Sequence, residues 1–230
     1  MSPRWRRSSD GLALVLGDPA GARSGGSLPG RAAFLDRDGT INEGVEDPDT
    51  GLLESPLCPA DVRLLPGAAG AMRELSHAGF VLVCATNQPA AAKGKMSLAD
   101  TQAVHERVLE LLAMAGVKLA SSRLCLAHPE AIVPELSGPC DCRKPAPGML
   151  LEEARDLGLD LARSWMLGDT DSDVQAGRAV GASTALIAYP GSAHKRSGSE
   201  PADVIARDLP DAVTQLLARE ADKGETASAG

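Results

Sequence analysis

The chain has 230 residues, enough for one α/β domain with tails, and a formal net charge of −8 that leaves no basic surface for gripping a nucleic-acid backbone. Aromatic residues are scarce (two Phe, two Trp, one Tyr), so the stacking platforms of single-strand binders are absent as well. No stretch approaches the ~20 apolar residues that cross a bilayer, and the run Leu12 to Leu16 behind Arg4, Arg6 and Arg7 is too short for a secretory signal. These features predict a cytoplasmic monomer acting on a small ligand, with neither nucleic acid nor membrane as partner.

Residues 1–30, rich in Ser, Gly, Arg and Pro, read as a flexible arm, and 221–230 as a flexible tail. Between them, 31–220 alternates short apolar runs with amphipathic stretches, the pattern of a parallel sheet with crossover helices. The first strand is Ala32 to Asp36, followed by a Gly/Pro/Asp-rich loop to about Leu65. A helix follows Pro66-Gly67 and ends at His77 before Gly79. Phe80 to Ala85 is a buried strand leading into Thr86 and Asn87. Ser97 caps a helix whose Leu98, Val104, Val108, Leu111 and Leu112 trace one apolar stripe to about Ala115. Then come a short strand at Leu124 to Leu126, a helix from Pro147 to Leu157, a strand from Trp165 to Gly168, a helix from Asp171 to Val180 and a strand from Thr184 to Ala188. Asp203 to Ile205 is an edge strand and Leu209 to Leu217 a closing helix.

Chemistry-bearing residues recur where these strands end, which is where open α/β sheets bind ligands. Phe34-Leu35-Asp36-Arg37-Asp38-Gly39-Thr40 sets two carboxylates two residues apart, one to attack phosphorus and one to handle the leaving group's proton. A carboxylate and a phosphate repel, so a hard divalent cation, magnesium, is required between them. Read alone, Asp-Arg-Asp-Gly is equally a turn. Thr86-Asn87-Gln88 offers a hydroxyl and amides for phosphate oxygens, Arg143-Lys144-Pro145 two cations before a helix, and Gly168-Asp169-Thr170-Asp171-Ser172-Asp173 further carboxylates. Each has a plainer reading as a strand end, a helix approach or a helix cap. Their repetition at successive strand ends favours one site.

Asp-x-Asp-Gly-Thr, a strand-ending Thr, a Lys before a helix and Gly-Asp-x-x-x-Asp resemble the four motifs of the haloacid dehalogenase (HAD) superfamily, over Phe34 to Ile187. Phe-Leu-Asp-Arg-Asp-Gly-Thr-Ile-Asn, Thr-Asn-Gln, Cys-Asp-Cys-Arg-Lys-Pro-x-Pro-Gly-Met and Met-Leu-Gly-Asp are similar more narrowly to the heptose bisphosphate phosphatases and the related histidinol phosphate phosphatases. The resemblance implies a Rossmann-like parallel sheet with helices on both faces, a minimal cap, a zinc-binding loop and an aspartyl-phosphate intermediate. It implies Asp36 as nucleophile and magnesium ligand, and Asp38 as general acid, then base. The Asp38 carbonyl and Asp169 complete the magnesium ligands, and Thr86 and Lys144 hold the transferring group.

Cys125, His128, Cys140 and Cys142 form a soft ligand set that suits structural zinc, although a buried Cys125 and a reduced Cys-x-Cys loop would look the same. In the family resembled, the ligand pattern is Cys-x-His, which puts Ala127 where a His is usual. Two other departures are Pro89-Ala90 after Thr-Asn-Gln and Thr170 after Asp169. Asn87 accompanies Thr86 at the phosphate, and Lys93, Lys95 and Arg143 are placed to meet a second phosphate or sugar hydroxyls, unless the lysines only solvate a helix approach. The resulting expectation is removal of the 7-phosphate of D-glycero-D-manno-heptose 1,7-bisphosphate. Alternatives are histidinol phosphate or another small sugar phosphate, and, without catalysis, a zinc-stabilised binding module.

Overall fold

The computed structural model describes residues 5–8, 13–17, 30–47, 50–138, 140–198 and 201–228. Its centre is a run of parallel strands whose side chains are buried on both faces, which explains why they are apolar without alternation. β1 (Trp5–Arg7), β2 (Ala13–Gly17), β3 (Arg31–Leu35), β6 (Phe80–Asn87), β7 (Ser121–Cys125), β8 (Trp165–Gly168), β9 (Ser183–Ile187) and β10 (Val204–Ala206) form one sheet, and β4 (Val45–Glu46) and β5 (Leu53–Glu54) a separate hairpin. The order is β1-β2-β7-β6-β3-β8-β9-β10, with every pair from β7 to β10 parallel.

Among the described residues, five α-helices cover this sheet: α1 (Ala68–His77), α2 (Leu98–Met114), α3 (Gly148–Leu157), α4 (Asp171–Ala179) and α5 (Leu209–Ser228). Along β3, Ala33 and Leu35 face a core built with Met72 and Leu75 of α1, Val104 and Val108 of α2, and Val213 and Leu216 of α5. The alternate residues Ala32 and Phe34 pack with Met149 and Leu150 of α3 and with Met166. Gly177 lets α4 close onto that second face, because a Cβ there would stand 2.8 Å from Met166 and from Thr184. Helices on both faces bring the loops at the carboxyl ends of β3, β6 and β8 to one rim of the sheet.

Four differences from the sequence reading have local causes. The expected flexible arm contains β1 and β2; β2 pairs antiparallel with β7, and its Ala13, Leu14, Val15 and Leu16 are buried. That run is short, and its strand character comes from an edge of β7 that the sequence does not display. β7 begins three residues before the expected Leu124, because polar Ser121, Ser122 and Arg123 hide it; Arg123 is buried against Glu152, Glu153 and Asp156 of α3, which neutralise it. The β4–β5 hairpin lies inside the expected long loop. The closing helix continues to Ser228, so most of the expected flexible tail is helical. Among the described residues, no helix is long and apolar enough to cross a membrane.

Candidate active site

Asp36 directly follows β3, and its amide donates to the Leu167 carbonyl of β8 (2.9 Å), so the residue is fixed at the centre of the rim. Lys144 reaches it from the loop before α3, with Nζ 2.9 Å from Asp36 Oδ1 and 2.5 Å from Asp173 Oδ1. Asn87 at the end of β6 holds that loop with both ends of its amide, donating to the Lys144 carbonyl (3.0 Å) and accepting from its amide (3.1 Å). Asn87 therefore clamps the backbone beneath the lysine and has both amide ends committed.

Asp173 is aimed by its helix. Thr170 caps α4 in a reciprocal box with Asp173, whose Oδ2 accepts from the Thr170 amide (3.0 Å) and hydroxyl (2.6 Å), leaving Oδ1 for Lys144. Gly168 makes room, since a Cβ there would fall 2.2 Å from the Asp173 carboxyl carbon. Asp169, between them, is buried with Oδ1 unpaired by any hydrogen bond. Gly39 lies against it at φ +81°, where a Cβ would stand 2.1 Å from Asp169 Oδ2, so the turn after Asp38 requires glycine for conformation and for space.

Oxygens of Asp36, Asp169 and Asp173 lie within 4.8 Å of one another. Burial pushes the Asp36 carboxyl up, against the pull of Lys144 and with the help of Asp173. Burial, then the charges of Asp36 and Asp173, push Asp169 well above the usual carboxylate range. A buried, unpaired carboxylate oxygen facing two more carboxylates fits a hard divalent cation.

Asp38 has the opposite character. Burial raises it, but the Arg37 guanidinium and hydrogen bonds from Gln88, Asn42 and Ser55 outweigh burial and hold its carboxyl below the ordinary value. A cavity of about 220 Å³ opens over these groups, lined by Asp36, Asp38, Thr86, Lys144 and Asp169 at its floor and by Lys93, Arg143 and Lys195 among its basic residues. Tyr189 and Leu53 supply an apolar wall.

Two expected ligands stand elsewhere. Lys95 turns from the cavity into an ion pair with Asp47 (2.5 Å), a partner its sequence spacing did not suggest. The zinc set is also incomplete: the sulfurs of Cys125, Cys140 and Cys142 converge within 4.8 Å, but His128 is outside that group and its Nδ1 accepts from the Glu130 amide (3.1 Å). Cys140 and Cys142 are joined as a disulfide, and Cys142 Sγ lies 2.9 Å from Cys125 Sγ. The group is compatible with a zinc site only with that disulfide reduced. Conversely, the sequence offers Asp173 only among several carboxylates of its motif and Gln88 only within Thr-Asn-Gln, and not their partners Lys144 and Asp38, whereas Ser55 arrives from the long loop with no local signal.

Comparison with known proteins agrees with this geometry. Residues 141–212 match the family model described as HAD-hydrolase-like. The chain is 36% identical over 188 residues to the D-glycero-beta-D-manno-heptose-1,7-bisphosphate 7-phosphatase of Yersinia pestis, covering 82% of this chain and 96% of that one. It is 37% identical over 180 residues to the enzyme of the same name from Escherichia coli K12, covering 78% and 90%. The crystal structure of D,D-heptose 1,7-bisphosphate phosphatase from B. bronchiseptica, complexed with magnesium and phosphate, superposes with a TM-score of 0.68 at 30% identity, covering 82% of this chain and 99% of that one. Relatedness along nearly their whole length, on a sheet that gathers the acidic and lysine residues at one rim, means that this chain belongs to the HAD phosphatases, the family that includes those heptose bisphosphate enzymes.

Proposed function

We propose that the chain hydrolyses the 7-phosphate of D-glycero-β-D-manno-heptose 1,7-bisphosphate, with Asp36 as nucleophile and Asp38 as proton donor and acceptor. The observation that carries the mechanism is Asp36 on the cavity floor between Lys144 and Asp169, with Asp38 beside it. A magnesium ion held by Asp36, Asp169 and the Asp38 carbonyl would offset the repulsion between carboxylate and phosphate. Asp36 Oδ attacks phosphorus, the bond to the ester oxygen breaks, and that oxygen takes its proton from Asp38. Asp38, now a carboxylate, removes a proton from water as the water attacks the aspartyl phosphate, releasing inorganic phosphate and restoring Asp36. Lys144 holds the phosphoryl oxygens. Thr86 Oγ1 accepts from Gln88 Nε2 (3.0 Å), which leaves its own hydroxyl hydrogen to donate to phosphate.

The substrate class rests on the relatives' names and on the basic rim, where Lys93 and Arg143 face the cavity and suit a second anionic group better than the cationic side of histidinol phosphate. Arg143 is steadied by a hydrogen bond to the Ala127 carbonyl (3.0 Å). Phosphate release with magnesium should favour β-heptose 1,7-bisphosphate over histidinol phosphate by roughly tenfold or more, the scale of one charged hydrogen bond to the second phosphate, and, as the relatives' names imply, over the α anomer and fructose 1,6-bisphosphate. Preference for histidinol phosphate would remove this substrate and leave the phosphatase.

We also propose that Cys125, Cys140 and Cys142, once reduced, hold zinc in a structural site with its fourth position filled from outside the sulfur trio. Protein purified under reducing conditions should carry about one equivalent of zinc, and Cys125→Ser should lose the metal and lower Tm. Metal-free protein with an unchanged Tm in the variant would reject zinc.

A further inference from the structure

Asp38 accepts from four side chains, and three of them, Arg37, Asn42 and Gln88, turn only donor hydrogens toward it. Arg37, fully buried, gives Nη2 to both carboxylate oxygens (3.1 Å each) and Nε to Oδ1 (3.2 Å). Asn42 Nδ2 donates to Oδ1 (2.8 Å), and Gln88 Nε2 to Oδ2 (2.7 Å). The fourth is Ser55, whose hydroxyl stands 2.7 Å from Oδ2 and lines the cavity. A hydroxyl can turn and accept and a guanidinium cannot, while the two amides are held donor-first, Asn42 by its second bond to the Glu43 carbonyl (2.9 Å) and Gln88 by Arg37. A proton on Asp38 is therefore excluded from the positions held by Arg37, Asn42 and Gln88, and has its place on the side of Ser55, where the cavity opens.

Gln88 decides which side that is. Arg37 Nη2 donates to its Oε1 (2.7 Å), which fixes the orientation of the amide and turns Nε2 onto Asp38 Oδ2 and Thr86 Oγ1. With its acceptor and both amide hydrogens engaged and only 2% of the residue exposed, it has no second arrangement of equal satisfaction. We infer that Gln88 is a positioning residue for proton transfer: through the Arg37–Gln88–Asp38 ring it blocks the rear lone pair of Asp38 and directs the acidic proton to the leaving oxygen. This rests on the reading of Asp38 as proton donor. In the step concerned, the P–O ester bond breaks, its electron pair stays on the ester oxygen, and that oxygen takes the proton from the Ser55 side of Asp38.

The test uses leaving groups that differ in their need for a proton. An alkoxide leaving a sugar phosphate needs one, whereas p-nitrophenolate does not, so the first turnover separates aim from general damage. Gln88→Leu should slow first-turnover release from the sugar bisphosphate by roughly 10- to 100-fold, within the range of general acid catalysis, and slow the p-nitrophenolate burst by less than about threefold. Gln88→Glu, which keeps the volume but replaces the donor, should show the same split and covers the case in which the leucine variant fails to fold. Asp38→Asn is the control. If it lacks the split, the reading of Asp38 as acid fails; if it shows the split while both Gln88 variants slow the two substrates equally, or neither, the role of Gln88 is overturned.

Discussion

Replacing Asp36 by Asn is expected to abolish turnover, with a loss of about 10⁴-fold or more in phosphate release, and to leave the fold standing. The neutral amide cannot form the acyl phosphate through which the proposed reaction runs, so no weaker version of the same path survives. The fold should tolerate it because Lys144 keeps Asp173 as its partner at 2.5 Å, and because one of three crowded carboxylates has been removed. Burial and the neighbouring Asp173 already push Asp36 toward its protonated form, so the amide resembles a state the site disfavours little. Intact-mass measurement after mixing with substrate should show a phosphorylated species in the parent protein and none in the variant, with Tm within a few degrees of the parent. Turnover within tenfold of the parent would remove the covalent route.

What the sequence displays of this molecule follows from where each residue's partners lie. β3, β6 and β8 are legible because burial on both faces makes them continuous apolar runs, and α2 because Ser97 and Asp100 cap it within four residues of chain. β7 and β2 are less legible since their polar or short runs become strands only beside one another and beside α3. The same division holds at the site. Asp36, Asp38, Thr86, Lys144 and Asp169 stand at strand ends or helix starts, so local pattern locates them, and the structure lines one cavity with all five. Lys95 has the same charge as Lys93 and sits two residues on, yet Asp47 draws it into an ion pair. Asn87 lines the cavity as well, but the bonds its amide makes go to the backbone of Lys144, a partner from a different loop. Asp173 reads locally as a first-turn acid of α4, and only the approach of Lys144 from a different loop gives it a second task.

That second task makes Lys144→Met the other large effect. The lysine ammonium is buried between Asp36 and Asp173; burial opposes its charge, but the two carboxylates more than compensate and hold it protonated. Methionine fills much of the same volume and leaves Asp36, Asp169 and Asp173 facing one another with no internal cation. Uncompensated buried charge of this kind typically costs about 3–5 kcal/mol, and loss of the group holding the phosphoryl oxygens should lower turnover by roughly 10³-fold. The pH dependence gives the sign. Carboxylates whose folded pKa lies above the unfolded value bind protons more readily when folded, so their contribution favours the fold at low pH and is lost as pH rises through the raised pKa. Asp36 and Asp169 are already raised in the parent, and removing the lysine pushes both further. The Tm deficit of the variant should therefore be large at pH 8, shrink toward pH 5, and shrink at pH 8 on addition of magnesium, which supplies positive charge to two of the three carboxylates, Asp36 and Asp169, and beside Asp173. A deficit independent of pH and of magnesium would mean that Lys144 stabilises the protein by packing, and the acidic cluster would then not be the cation site inferred from it.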